Sequence, residues 1–210
     1  PVAASYWSQA GGAVQFAKNE LGGSLKGKKI GYLFYDNPAG REGLPVIRHL
    51  SKLEGFTLQE FPVPAPGVEM SNQVRDIARR FRADFVISHL FGRAPSVQLK
   101  EFSRAGYPLS KVVSFVWGAS EADIEAAGGF AKNVGYNGIQ FAGVGDDFPI
   151  RQQIRDMYKA EGRAAPKEMG STVFYNRGLL IGAIHVEAVR NAVKAKGGSA
   201  DITGTDVRDG

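Results

Sequence analysis

The sequence contains no cysteine among its 210 residues. It therefore forms no disulfide, offers no thiolate to zinc and has no thiol nucleophile. Histidine is scarce as well, because only His49, His89 and His185 occur, and their spacing fits no metal site. No apolar run reaches the length of a membrane-spanning helix. We expect neither a metal ion nor another cofactor.

The formal net charge is +5, and the sequence pI is about 9.4, a balance that raises the question of nucleic-acid binding. The basic residues are scattered over predicted helices, and the one cluster, 79–82, is flanked by Asp76 and Asp84. No zinc finger, helix-turn-helix or RNA-binding signature accompanies it. A solvated helix surface explains this charge, and we expect no nucleic-acid partner.

Strand and helix patterns alternate along the chain. The run KIGYLFY, 29–35, is continuously apolar, which is typical of a strand covered on both faces. Further strands are predicted at 56–63, 84–90, 112–117 and 134–141, and helices at 1–21, 40–53, 71–81, 95–105, 121–127 and 146–161. Ser71 is expected to cap the helix at 71–81, and Tyr6 to lie on the apolar face of the first helix. Pro45 is tolerable only in the first turn of its helix. Such alternation predicts an α/β fold, an open, doubly wound, mostly parallel sheet with helices on both faces.

In such sheets the ligand crevice lies at the carboxyl ends of the strands. Three loops follow these ends, at 36–40, 89–94 and 117–120. Tyr35, Phe91 and Trp117 place aromatic rings there, and His89 ends a strand beside them. Aromatic walls with a few polar groups are the usual lining of a small-molecule pocket, so we expect a small-molecule ligand here.

Signatures of catalysis are missing at the expected places. Gly143-Val144-Gly145 lacks the third glycine of a dinucleotide fingerprint and does not follow the first strand. A phosphoacceptor receiver would need an aspartate at the end of the third strand, where Ser88 and His89 stand. The sequence has neither a G-x-S-x-G elbow nor a Walker lysine. We therefore predict no catalytic residue and no enzymatic activity.

The C-terminal region differs from the rest. Residues 175–196 predict a long helix whose apolar residues cover most of its circumference, with one polar stripe. A helix of this kind is normally buried between two layers. We predict that it packs against a body other than the sheet domain.

The order of these motifs resembles a known family. YLFYDNPAGREGLPVIRHLSKLEGF, then ADFVISHLFGRAPSVQLKEFSRAGY, then VFYNRGLLIGAIHVEAVRNA and the closing ADITGTDVRDG are similar to type I periplasmic solute-binding proteins of ABC importers, in the leucine/isoleucine/valine class. The resemblance implies two α/β lobes. Residues 1–168 then correspond to the second lobe, and 169–210 to a crossover and a helix returning to the first lobe, most of which lies outside this sequence.

The resemblance also implies a function: capture of a small organic solute in the periplasm and its delivery to a membrane permease. The tyrosine expected in the first loop is Ala39 here, and the acid expected after the fourth strand is Val116, beside Trp117. A buried ammonium without a charge partner costs several kcal/mol. The expected ligand is therefore an apolar or aromatic carboxylate, or a related neutral compound, although Asp36 and Glu121 remain alternative acids.

Two other functions compete with transport. The same fold serves as a ligand-sensing domain in receptors and regulators. A Rossmann-like enzyme shares the strand pattern, but this sequence has neither its cofactor loop nor a catalytic set of residues. With the first lobe absent, we further expect that the apolar surface of 173–193 drives self-association of the chain.

Overall fold

The protein is represented by a computed structural model that describes residues 4–140, 143, 145 and 148–210. Five parallel strands form one sheet in the order β2-β1-β3-β4-β5. The strands are β1 (Lys29–Tyr35), β2 (Thr57–Val63), β3 (Phe85–His89), β4 (Val112–Ser114) and β5 (Asn137–Gly138). This confirms the predicted parallel α/β fold.

Nine α-helices are present among the described residues. They are α1 (Tyr6–Glu20), α2 (Pro38–Arg41), α3 (Leu44–Glu54), α4 (Ser71–Arg75), α5 (Ala94–Ala105), α6 (Glu121–Ala126), α7 (Pro149–Ala160), α8 (Val173–Ala195) and α9 (Gly204–Asp209). A π-helical turn, Asp76–Phe81, continues α4, and short 3-10 turns occur at Leu109–Lys111, Val116–Gly118, Phe130–Lys132 and Lys167–Gly170.

The sheet is covered on both faces. In β1 the alternate residues Leu33 and Tyr35 join one buried cluster with α4 and α5, whereas Tyr32 and Phe34 join another with α1 and α3. Side chains that alternate between two faces are all buried only when helices cover both. The continuous apolar run of β1 is thereby explained, and burial of each large side chain stabilises the fold by about 1.5–3 kcal/mol.

Three local predictions need correction. Ser71 was expected to cap a helix, but it is the first helical residue, and the preceding cap position is Met70, whose side chain is buried in the core. The strand predicted at 112–117 ends at Ser114, because a 3-10 turn begins at Val116. The strand predicted at 134–141 pairs only at Asn137–Gly138, and its last residue, like the predicted helix start at 146, lies outside the described residues.

The chain separates into two compact units that divide after Gln140. The first unit contains the whole sheet, and the second contains α7, α8 and α9. The predicted boundary at residue 168 concerns the lobes of a larger protein, and it stays a prediction.

The second unit leaves much of α8 exposed. Five large apolar side chains of α8 are between 39% and 52% exposed: Phe174, Leu180, Ile184, Val186 and Val189. A cavity of about 450 Å³ between α7 and α8 is lined mainly by aliphatic residues and glycines. Exposed apolar surface of this extent on one helix is typical of an interaction surface.

Candidate functional site

The strand order reverses between β1 and β3, since the chain runs outward from β1 to β2 and then returns to β3 on the other side. At such a switch point the loops after the two strands diverge and leave a crevice at their carboxyl ends. Tyr35 ends β1 and His89 ends β3, and the turn Val116–Gly118 follows β4. The structure therefore brings the predicted loops together at one edge of the sheet.

Tyr35 is buried beneath the carboxyl edge of the sheet, where it packs against Phe91, and it does not line the solvent-facing surface of that edge. Its ring is 4% exposed and lies 4.5 Å from the ring of Phe91, measured between centroids. Its hydroxyl donates to the carbonyl of Pro66 at 2.7 Å, and burial raises its pKa. A side chain on Gly67 would come within 2.6 Å of that hydroxyl, so only glycine fits this position. Tyr35 thus holds Phe91 in place.

Asp36 is exposed in the loop after β1, and Ala39 is exposed in the short helix α2 that follows. Asp36 is paired with Arg41, whose Nε donates to its Oδ1 at 2.9 Å and whose second guanidinium nitrogen contacts the same oxygen. Because the carboxylate already has a cation, it is a poor partner for the ammonium group of a ligand.

His89 is enclosed by aromatic rings. It is fully buried, and its ring centroid lies 4.3 Å from that of Tyr6 and 4.7 Å from that of Phe115. Nδ1 lies 3.3 Å from the hydroxyl of Tyr32, and Nε2 is buried without a hydrogen-bonding partner in the described part of the chain. Burial lowers the pKa of His89 to about 4, partly opposed by the carbonyl of Gly40, so the imidazole is neutral at neutral pH.

Trp117 is the most exposed ring at the edge, at 38%. Its indole Nε1 donates to the hydroxyl of Tyr6 at 2.7 Å. Tyr6, the first residue of α1, therefore links the ring of Trp117 to that of His89. Phe91 is partly buried against the core cluster that contains Tyr35. Together these rings form an apolar, aromatic surface with a few polar atoms.

The turn that carries Trp117 is held by side chains from distant parts of the chain. The amide N–H of Val116 donates to Gln9 Oε1 at 2.9 Å, and its carbonyl accepts from Gln140 Nε2 at 2.8 Å. Tyr136 donates to the carbonyl of Gly118 at 2.6 Å. The side chain of Val116 is itself 5% exposed, so this position contributes packing and no charge.

Sequence reasoning missed Tyr6, Gln9 and Gln140. Tyr6 was assigned to the apolar face of its helix, and a glutamine bond across a separation of 107 residues leaves no local signal. The one available hint was Gln9 itself, because a polar residue occupies a buried position of α1, where it is 3% exposed. Buried polar groups are normally hydrogen-bonded.

Two further findings concern metal binding and membrane-spanning helices. Within the residues described, no three His, Asp or Glu side chains are close enough together to hold a metal ion. No helix in that part of the chain combines the length and the apolarity needed to cross a bilayer.

Comparison with known proteins identifies the family. The sequence model of the family described as "Periplasmic binding protein" matches residues 1–210. No curated protein sequence matches this chain significantly.

Three solved structures illustrate the structural similarity. An ABC transporter permease from the Pseudomonas fluorescens group has 32% identity and a TM-score of 0.83, over 96% of this chain and 49% of that one. A branched-chain amino acid ABC transporter from Thermus thermophilus with bound valine has 20% identity and a TM-score of 0.76, over 98% of this chain and 51% of that one. A fatty acid ABC transporter substrate-binding protein from Thermomonospora curvata has 16% identity and a TM-score of 0.68, over 91% of this chain and 48% of that one.

The chain spans about half the length of these similar proteins. The family model covers all of its residues, and the parallel sheet agrees with the fold of the similar structures. The chain belongs to the periplasmic binding protein family and has the α/β fold of its type I members.

Proposed function

We propose that this chain forms the second lobe of a substrate-binding protein of an ABC importer. The two-lobed protein captures a small organic solute in the periplasm, and a membrane permease receives the solute. Proteins with similar structures are named as components of ABC transporters, which favours transport over a purely sensory role.

We propose further that the solute is an apolar or aromatic carboxylate and that α-amino acids bind weakly. The observation that carries this proposal is the aromatic edge formed by Phe91, Trp117 and Tyr6. Apolar walls favour an apolar solute. The fatty acid named for one of the similar proteins is a carboxylate with an apolar group and no ammonium group, whereas the valine bound to another is an α-amino acid.

The charges at this edge support the second part of the proposal. Asp36 is paired with Arg41, and Val116 offers no carboxylate. An ammonium group held against Val116 would lose water without gaining an anion from that position, at a cost of several kcal/mol. The first lobe, in this proposal, supplies the donors that bind the carboxylate, and the second lobe supplies the apolar wall. Of the residues predicted from the sequence, Tyr35 then acts as framework behind that wall, and Ala39 lies exposed in α2.

The same proposal accounts for α8. The helix returns to the first lobe and packs its apolar side chains there, so they are exposed only when that lobe is absent. In the chain alone, these side chains are available to a second copy.

Calorimetry on the two-lobed protein tests the choice of ligand. Titrations with 4-methylpentanoate and benzoate are compared with titrations of leucine, which matches 4-methylpentanoate except for its ammonium group. We expect the two carboxylates to bind and leucine to bind at least about tenfold more weakly. Tight binding of leucine with no heat from either carboxylate would overturn the proposal.

A further inference from the structure

We propose that Nε2 of His89 accepts a hydrogen bond from a neutral hydroxyl or N–H group of the bound solute. This inference rests on the proposed function, since it names the polar contact that the second lobe makes in the same crevice. It narrows the solute class to apolar or aromatic carboxylates that carry one such donor.

The first support is the tautomer that the hydrogen bonds of the site favour. The hydroxyl of Tyr32 donates to the carbonyl of Gly40 at 3.1 Å and lies 3.3 Å from Nδ1 of His89. One hydroxyl carries one proton, so the arrangement that satisfies all three groups has Nδ1–H donating to the Tyr32 oxygen. Nε2 then carries a lone pair and acts as an acceptor.

The second support is that this lone pair lacks a hydrogen-bond donor in the described part of the chain. Nε2 is buried, and no donor reaches it from any residue that the structure describes. A buried acceptor without a partner costs about 1–3 kcal/mol, so buried polar groups are nearly always paired. The neutral state of the imidazole, with a pKa of about 4, keeps the lone pair available at neutral pH.

The third support is position. His89 ends β3, the strand beside the switch point, and its ring lies between Tyr6 and Phe115. Tyr6 is only partly buried, and in this proposal its side chain moves aside to admit the solute to Nε2. A neutral donor suits this acceptor, because the imidazole is itself neutral at neutral pH.

Nitrogen NMR of the full-length protein tests the acceptor directly and needs no ligand. The His89 signals are assigned by their loss in His89→Asn. We expect Nδ1 to be protonated and Nε2 to be unprotonated at pH 7. A protonated Nε2 in the free protein would overturn the proposal.

Matched ligand pairs test the contact itself. 2-Hydroxy-4-methylpentanoate is compared with 4-methylpentanoate, and 4-hydroxybenzoate with benzoate, by calorimetry. In at least one pair we expect the hydroxylated compound to bind about tenfold more tightly, the effect of one well-made buried hydrogen bond. If the unsubstituted compounds bind and neither pair shows this preference, the proposal fails.

Two substitutions separate this contact from a merely structural role. The amide of His89→Gln reaches the position of Nε2, whereas the amide of His89→Asn reaches only the position of Nδ1 and keeps the contact with Tyr32. We expect the hydroxyl preference to survive in His89→Gln and to disappear in His89→Asn. A preference that persists in His89→Asn would assign the contact to another residue.

The same experiments keep this inference distinct from the proposed function. If none of the four compounds binds the wild-type protein, the proposed carboxylate class is wrong. The protonation state of Nε2 in the free protein then still supports or overturns the assignment of His89 as an acceptor.

Discussion

The two units of the chain use similar residues in different ways. In the first unit, aliphatic and aromatic side chains fill two clusters, one on each face of the sheet. In the second unit, the aliphatic residues of α8 are largely exposed, and only Val173, Asn176 and Ala192 of that helix are buried. An apolar composition alone therefore does not distinguish a core helix from an interaction surface. Whether apolar side chains are buried depends on whether other elements of the structure cover them.

The largest expected effect contrasts the same substitution in the two units. Ile87 in β3 is fully buried, and Ile184 in α8 is 45% exposed. We expect Ile87→Ala to lower the free energy of unfolding by about 2–5 kcal/mol, since it leaves a cavity, and Ile184→Ala to change it by about 0.5 kcal/mol or less. Urea denaturation of dilute chain measures both, and equal losses would remove the distinction between the units.

The next effect concerns two histidines. His89 in the first unit is buried, whereas His185 in the second is exposed. The pKa of His89 is about 4 in the folded chain and rises to its ordinary 6.5 on unfolding. Only the unfolded state takes up this proton between these values, so stability falls as pH falls from about 6.5 to about 4, by on the order of 3 kcal/mol.

Urea denaturation across that pH range measures this loss. His89→Phe removes the titrating group and should flatten the dependence, while the matched His185→Phe should retain it. If all three proteins show the same slope between pH 4 and 6.5, His89 titrates normally and the account of its burial is wrong.

A smaller effect is expected at the turn that carries Trp117. Gln9→Leu leaves the N–H of Val116 without its partner and should cost about 1–3 kcal/mol. Gln15 lies on the exposed side of the same helix, so Gln15→Leu should be nearly neutral. Denaturation followed by tryptophan fluorescence compares the two, and an equal cost would mean that the Gln9 bond does not hold the turn.

The smallest effect concerns association of the chain alone. We expect copies to associate through α8, where Val186 is 52% exposed, and we expect Val186→Lys to weaken association about tenfold. The control is Leu53→Lys in the first unit, because Leu53 is 70% exposed but lies outside α8. Light scattering over a concentration series reports both, and a wild-type chain that is monomeric at high concentration would contradict the prediction.

The sequence predicted the elements whose signals are local. The bounds of β1 agree with the structure because its apolar run is continuous and ends at a turn residue, Asp36. Pro45 lies in the first turn of α3, as its missing N–H requires. Phe91 and Trp117 were placed at the carboxyl edge of the sheet, because the carboxyl ends of parallel strands all lie at the same edge.

The sequence failed where distant contacts decide. The strand after residue 112 ends early, and in the turn that follows it the N–H of Val116 donates to Gln9, which lies far away in the chain. The enclosure of His89 by Tyr6 and Phe115 likewise depends on helix packing, which no spacing pattern reveals. The roles of these residues in ligand binding stay predictions.

The central claim is that the aromatic edge of the first unit binds the solute. The most direct measurement is calorimetry with benzoate or 4-methylpentanoate, whichever binds, on the two-lobed protein and two tryptophan variants. Trp117→Ala should weaken binding by about tenfold or more, because a large ring is lost from the wall of the site. Trp7→Ala, which removes an equally large ring that is 56% exposed on α1, should leave affinity unchanged. Equal affinities of Trp117→Ala and the wild type would contradict the account.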